Sequence, residues 1–380
     1  MFHQAIIAAP AQANAHAPGV GPIALAIVVP CLNEVGNVAE LVRRIETAMA
    51  GTAWEAIFVD DGSTDGTWEL LTAMAQADRH VRLVRRIGRR GLSSAVMEGA
   101  LATTSPVIAV IDADLQHDET RLPLLFAAIR DGADLAVGSR YCDGGSTGDW
   151  DQRRLGISRF ATRVAAPLLR QAPVSDPMSG FFAIRREALL AAAPKLSAVG
   201  YKILLDLIAS SPQPLKVAEV AYRFRDRTSG DSKLDSAVAL EYGELLLDKL
   251  IGRFVPVKLI MFGAIGAVGV GVHLGVLGGA LGGGARFAVA QFAAVATAMT
   301  FNFFLNNSLT YRDRQLKGAK LLRGLASFYA VCSIGAIGNV GIGSLVYQNI
   351  HAWWVAGIAG AVVGSVWNYA ASSWLTWTRR

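Results

Sequence analysis

The run Asp112-Ala113-Asp114-Leu115-Gln116-His117 sets two carboxylates and a carboxamide at alternate positions. On an extended backbone, residues two apart share a face, so the three oxygens would point together. Oxygen ligands without thiolate suit Mg²⁺ or Mn²⁺, the usual partners of a diphosphate. Such an ion offsets the charge that builds on a departing nucleoside diphosphate. His117 could add a ligand, but a loop histidine satisfied by its neighbours is the plainer reading. A second acidic cluster runs Asp60-Asp61-Gly62-Ser63-Thr64-Asp65-Gly66-Thr67. Its carboxylates can accept from a base N–H or from ribose hydroxyls, Gly62 permits a sharp turn, and Asp65 is expected to cap the next helix. A third cluster, Pro30-Cys31-Leu32-Asn33-Glu34, offers Glu34 to the nucleoside.

These clusters need a frame that brings them to one edge. Ala24–Pro30, Glu55–Asp60, Val81–Arg85 and Val107–Asp112 are continuous apolar runs that end in polar or acidic residues. Amphipathic stretches, Gly36–Met49, Asp65–Ala77 and Gly91–Ala102, separate them. Strands buried on both faces and joined by helices predict a parallel sheet with right-handed crossovers. Ligands of such sheets sit at the carboxyl ends of the strands, where all three acidic clusters fall.

The chain has 380 residues, 52% of them hydrophobic and only 17% charged, with a mean hydropathy of +0.37. That excludes an ordinary soluble protein and puts part of the chain in lipid. Of the net charge of +6, the region from Phe254 onward carries +8 (nine Lys/Arg against Asp313), which leaves −2 on the rest. The basic excess therefore belongs to the apolar half, a juxtamembrane pattern that argues against nucleic acid as a partner. Cys31, Cys142 and Cys332 show neither metal-ligand spacing nor a disulfide framework, in keeping with a reducing compartment.

Leu259–Ala285 and Phe287–Tyr311 lack Asp, Glu, Lys and Arg, and Gly324–Thr378 is uncharged for 55 residues. This predicts four transmembrane helices, the last two separated near Gln348–His351. Arg312, Arg314, Lys317, Lys320 and Arg323 follow the second span, and Arg379 and Arg380 follow the fourth, whereas only Arg286 follows the first. Positive-inside bias then puts both termini and the globular half in the cytoplasm. An internal repeat is visible at an offset of 66 residues: Phe301-Asn302-Phe303 and Leu309-Thr310-Tyr311 recur as Trp367-Asn368-Tyr369 and Leu375-Thr376-Trp377. The expected organisation is a flexible tail at 1–22, an α/β domain at 23–232, an amphipathic segment at 233–254 lying on the bilayer surface, and an all-α membrane domain at 255–380.

The strings VVPCLNE, VDDGSTDGT, RRGLSSAVMEGA, DADLQH, GSRY, DPMSGFFAIRRE, GYKILLDL and RDRTSGDSKL, spread from Val28 to Leu234, resemble family 2 inverting glycosyltransferases of GT-A fold. Within that family they are most similar to the dolichol-phosphate (polyprenyl-phosphate) mannose synthases. The apolar half resembles the GtrA-like domain fused to some members. Cys31-Leu32 departs from the family's usual Thr-Tyr. The resemblance implies Asp112, Asp114 and Gln116 as metal and diphosphate ligands. It implies Pro30, Glu34, Asp60 and Asp61 at the nucleotide, Arg140 at the sugar or diphosphate, and Asp176 and Ser179 at the sugar. Arg227 and Lys233 would close over the phosphates, while Arg154 and Ser158, one helical turn apart, would bind the lipid phosphate. Of the run Arg85, Arg86, Arg89 and Arg90, some charges are expected near the diphosphate.

The implied reaction moves mannose from GDP-mannose to a polyprenyl (dolichyl) phosphate by single displacement with inversion, at the lipid bilayer, with Mg²⁺ or Mn²⁺. UDP-glucose is the alternative donor. Translocation of a lipid-linked sugar by the membrane domain is the alternative of another class.

Overall fold

The computed structural model describes residues 22–380 apart from 89, 149–151, 198–199, 226–235, 253, 351–352 and 378–380. All but the last residue of the tail expected at 1–22 lies outside them. The chain divides into two compact units, Met1–Leu250 and Ile251–Arg380.

In the first unit, β1 (Leu25–Cys31), β2 (Trp54–Asp60), β3 (Val81–Arg85) and β4 (Val107–Val110) occupy the four expected apolar runs. Three further strands, β5 (Leu135–Ser139), β6 (Phe182–Arg185) and β7 (Val217–Ala221), complete a seven-stranded sheet of order β3-β2-β1-β4-β6-β5-β7. Every pairing is parallel except those of β6, which runs antiparallel to both β4 and β5. Strand alternation feeds two cores. Leu25, Ile27 and Val29 face α1 (Val38–Ala48), α2 (Thr67–Ala77) and α4 (Leu122–Arg130), whereas Ala26 and Val28 face α3 (Leu92–Leu101), α6 (Arg186–Ala192) and α7 (Ile203–Ser210). With helices on both faces, the strands read as unbroken apolar runs. β1 leads outward to β2 and β3 on one side while β4 lies on the other, so the crevice where ligands bind opens at the carboxyl ends of β1 and β4.

Two helices flank the far side, α5 (Gln152–Ala165) and α8 (Ser236–Ile251). Leu245 and Leu246 of α8 are buried with Ala165, Leu205 and Met178. The Tyr242 hydroxyl donates to the Ala161 carbonyl at 2.6 Å, and the Lys249 ammonium lies 2.7 Å from the fully buried Asp206 carboxylate. This face of α8 therefore packs on the first unit.

The second unit holds α9 (Val257–Gly282), α10 (Phe287–Leu305, extended by a π turn over Asn306–Thr310), α11 (Ala319–Ile350) and α12 (Trp353–Leu375). Among the described residues three stretches are long and apolar enough to cross a membrane: Val257–Gly282, Phe287–Thr310 and Ala319–Gly338. The repeat shows in the packing. Asn302 presses on Gly269, and Asn368, 66 residues on, presses on Gly335, each site being one where a Cβ would collide with the carboxamide. Close helix approach at small residues is the usual way to gain contact when lipid offers no hydrophobic drive. The Tyr311 hydroxyl pairs with Ser373 at 2.6 Å, and the Trp377 indole donates to Asn307 at 3.0 Å. Tyr311 and Trp377, themselves repeat equivalents, stack at 4.1 Å.

Candidate active site

The loops after β1 and β2 are laced together at the crevice. Asn33 takes φ +58°; its amide donates to Ser63 Oγ at 2.9 Å, and its side-chain oxygen accepts from Thr64 N at 2.9 Å. Glu34 N donates to Thr67 Oγ1 at 2.9 Å, and its carboxylate accepts from Asn37 Nδ2 at 2.7 Å. Asp65 accepts from Thr67 N and Oγ1 and from Val35 N, so it holds the first residue of α2 and ties the loops together, while Gly66 and not Asp65 occupies the N-cap position. Asp60 is fully buried. Its carboxylate accepts from the amides of Gly62 and Ser63 and from the Ser63 hydroxyl, which makes it the brace of the loop it was expected to offer to the nucleotide.

Asp61 points the other way. One oxygen meets the Arg86 guanidinium and the other accepts from Gly91 N at 2.7 Å. Arg86 is buried and also donates to Gly91 O, Ser94 Oγ and Glu98 Oε1, at 3.0, 2.6 and 3.2 Å. Gly91, at φ +141°, allows the chain to enter α3 while presenting its N–H to Asp61. Of the other arginines in the run, Arg85 lies 4.6 Å over the Trp68 ring, and Arg90 donates to the carbonyls of Asp61 and Gly62. Arg89 is outside the described residues.

The Asp112–His117 loop differs from the extended ladder its spacing suggested. β4 ends at Val110 and the chain turns, with Leu115 at φ +62° and Gln116 N donating to Asp114 Oδ1 at 3.2 Å. The three expected ligand residues stay within one tight turn rather than on one strand face. Asp112 remains partly exposed, 31% of its side chain accessible, and fits a cradle at Gly180, where a Cβ would stand 2.8 Å from Asp112 Oδ2. Gln116 donates Nε2 to the Arg225 carbonyl at 3.1 Å, which turns its Oε1 the other way. Two carboxylates and an amide oxygen form a hard donor set that fits Mg²⁺ or Mn²⁺. Among the described residues no cluster of three or more His, Cys, Asp and Glu is suited to a metal, so a metal here needs the Gln116 oxygen or donors from its ligand. His117 is buried between Phe181, stacked at 5.3 Å, and the edges of Tyr222 and Phe224. Its Nδ1 receives Asp112 N–H at 3.3 Å, and burial pulls its pKa down to about 4. It is a neutral prop beneath the loop.

Arg140, at the end of β5, grips Asp176 through Nε and a terminal nitrogen at 2.7 and 2.8 Å, and its own N–H adds a third bond at 3.1 Å. Burial opposes the guanidinium charge, but the bonds to Asp176 outweigh it and raise the Arg140 pKa. Asp176, fully buried, thus aims Arg140. Ser179 donates its hydroxyl to the Gly138 carbonyl at 2.8 Å and accepts from Phe181 N, so it shapes the turn that carries Gly180. The Tyr141 hydroxyl donates to Ser158 Oγ at 2.9 Å, joining the β5 end to α5. α5 sets positions 154 and 158 one turn apart, as expected, although the Arg154 side chain is outside the described part. A cavity of about 380 Å³ lined by Tyr141, Arg159, Thr162, Arg163 and Ser175 opens there. Arg227 and Lys233 lie outside the described residues. Pro30 is the next-to-last residue of β1, beside Val59 of β2.

The sequence reading missed three supports: Gly180, Glu98 and Arg225. All three lie inside the motif strings, but the reason for a glycine at 180, close approach to Asp112, exists only in three dimensions.

Comparison with known proteins gives the chemistry its context. The model of glycosyl transferase family 2 matches residues 26–191, and that of the GtrA/DPMS transmembrane domain matches 261–377. A dolichol-phosphate mannosyltransferase of Pyrococcus furiosus is 32% identical over 357 residues, covering 93% of this chain and 99% of the relative. The chain belongs to glycosyl transferase family 2. It is a glycosyltransferase with a GT-A-like domain and a membrane domain of the GtrA/DPMS kind. A dolichol-phosphate mannosyltransferase of Saccharomyces cerevisiae is 36% identical over 249 residues, 63% of this glycosyltransferase and 92% of the relative. Among solved structures, glucosyl-3-phosphoglycerate synthase of Mycobacterium tuberculosis with Mn²⁺ and UDP superposes with a TM-score of 0.45 at 22% identity, covering 59% and 79% of the two chains.

Proposed function

We propose that this glycosyltransferase moves mannose from GDP-mannose to a polyprenyl phosphate with inversion, on the cytoplasmic face of a membrane that its second unit crosses four times. The observation that carries the reading is the Asp112–His117 turn at the β4 end. It offers an oxygen-only donor set beside a clamped arginine, in a chain related over nearly its whole length to a dolichol-phosphate mannosyltransferase. Asp112, Asp114 and Gln116 would hold Mg²⁺ or Mn²⁺, which when bound supplies charge compensation for the leaving diphosphate. Asp61, with Glu34 and Pro30, lines the nucleoside side, while Asp60 braces their loop. Arg140, fixed by Asp176, directs charge at the diphosphate or the acceptor, Ser179 holds the sugar-side turn, and Arg227 and Lys233 add positive charge over the phosphates. Arg154 and Ser158 receive the acceptor phosphate, Ser158 being already oriented by Tyr141.

A phosphate monoester is largely dianionic near neutral pH, its second pKa being about 6, so the acceptor needs no strong base. The one histidine in the turn is buried and neutral, in keeping with catalysis by positioning and charge rather than proton abstraction.

The test is transfer of radiolabelled sugar to polyprenyl phosphate in detergent, from GDP-mannose or from UDP-glucose, with and without EDTA. EDTA-sensitive label from GDP-mannose in the lipid phase is expected. Label from UDP-glucose alone would replace the donor and keep the site. Transfer that survives Asp112→Ala would refute the metal site, and lipid-linked sugar translocation without any transfer would refute the enzymatic reading.

A further inference from the structure

We propose that Arg225 is a positioning residue for the metal site, acting through Gln116; the inference rests on the reading of Gln116 as a ligand. Arg225 and Gln116 exchange two bonds: Arg225 N donates to Gln116 O at 2.9 Å, and Gln116 Nε2 donates to Arg225 O at 3.1 Å. A carboxamide has one donor end and one acceptor end, so committing the nitrogen fixes where the oxygen points. The backbone of Arg225 is held in place by its own side chain. The guanidinium reaches back to Glu119 at 2.6 Å and Asp118 at 2.8 Å, with a longer bond of 3.4 Å to His117 O. One residue thereby clasps 116–119 from both ends, with its main chain on Gln116 and its fork on the two carboxylates that follow.

The carboxylates make the clasp specific to arginine. Glu119 is buried, and the next cation, Arg44, stands 4.0 Å away. A planar fork satisfies both acids at once, whereas a lysine ammonium is a point charge and would favour one of them. Partners that orient a metal ligand typically contribute 10–100-fold to metal affinity. Charge works in the opposite direction here. Removing the cation makes the loop more negative and, by Coulomb attraction alone, would tighten a divalent ion. A net loss of metal affinity on removing Arg225 therefore reports orientation and not field.

The experiment measures Mn²⁺ binding to the full-length glycosyltransferase in detergent with GDP present, by electron paramagnetic resonance of free Mn²⁺, together with GDP binding in EDTA. Arg225→Met is expected to weaken Mn²⁺ about 10-fold or more and to leave metal-free GDP affinity unchanged. Arg225→Lys, which keeps the charge and loses the fork, is expected to weaken Mn²⁺ several-fold and carries the test should the Met variant not fold. Mn²⁺ affinity at or above the wild-type value in the folded variants overturns the inference, as does an equal loss of metal-free GDP binding, which marks general damage. Absence of GDP-dependent Mn²⁺ binding in the wild type overturns the metal reading of Asp112, Asp114 and Gln116, and the inference with it.

Discussion

Gly180→Ala separates the placement of the Asp112 carboxylate from the stability of the fold. A Cβ at position 180 would stand 2.8 Å from Asp112 Oδ2 and 3.4 Å from its Cγ, where ordinary contact begins at 3.4 Å, so the carboxylate must retreat by about 0.6 Å. It has room to do so, because 31% of the Asp112 side chain is accessible. The His117 ring, 3.3 Å from the new carbon, is packed among three aromatic rings and stays put. Gly180 is not in the left-handed region, so alanine meets no backbone strain and reduces the entropy of the unfolded chain, a gain of about 0.4–1 kcal/mol that offsets the crowding. Thermal unfolding should therefore hardly change. On the role proposed for Asp112, activity should not survive equally well: a misplacement approaching 1 Å in a reacting site costs about 10²-fold, equivalent to about 2.7 kcal/mol of transition-state stabilisation. The assay is metal-dependent transfer of labelled sugar in detergent beside a thermal melt of the same preparation. Wild-type turnover in the variant, or a melt lowered by 10 °C or more (roughly 2 kcal/mol or more) with turnover falling in proportion, would refute the argument that Gly180 exists to seat Asp112.

Three further outcomes follow from buried groups. Lys249→Met should remove the ammonium 2.7 Å from the fully buried Asp206 carboxylate and destabilise the first unit by about 3–5 kcal/mol; a melt unchanged within 2 °C would show that the pair is dispensable. His117, held neutral with a pKa of about 4 against about 6.5 in the unfolded chain, favours the folded state at neutral pH, and that contribution fades as pH falls from 6.5 through 4. In EDTA, denaturant titrations should show the wild type losing about 3 kcal/mol more than His117→Asn between pH 7 and 4, and equal losses would contradict the assignment. Burial, with Asp60 and Asp61 close by, pushes the Cys31 thiol well above its usual range. Iodoacetamide at pH 8, followed by peptide mass mapping, should leave Cys31 unmodified in the folded protein and label it in denaturant; rapid labelling of the native protein would contradict this.

The first half of the sheet was legible because β1, β2 and β4 are buried on both faces and so read as unbroken apolar runs, while the edge strand β3 shows Leu83 and Val84 between exposed arginines. β6 was not. Four residues long, it owes its reversed direction to the Ser179–Phe181 turn packing against Gly138, a contact across some 40 residues that no local pattern records. The Asp112–His117 loop misled for a related reason. Alternating carboxylates imitate a strand, but Leu115 adopts a left-handed conformation that leucine does not announce, held by the Asp114 bond to Gln116 and the aromatic seat of His117. Asp60 and Asp61 make the same point within the candidate site. They are identical in type and adjacent, yet one turns into its own loop and the other meets an arginine 25 residues on. Residue chemistry was readable from the sequence; which oxygens were already taken was not.

The exchanged partners in the membrane domain bear on how such a domain arises. Tyr311 of the first hairpin is completed by Ser373 of the second, and Trp377 of the second by Asn307 of the first. Phe262 meets Tyr369, while Phe328, its counterpart, meets Phe303. Each half offers the surface the other half lacks, which is the self-complementarity of a two-fold dimer. Joining both copies in one polypeptide turns a bimolecular encounter into an intramolecular one at high effective concentration. It also releases the copies from having to match, so that a tyrosine can become a tryptophan on one side only. An ancestral single hairpin would have had to find its twin in the bilayer; the present chain brings the twin with it.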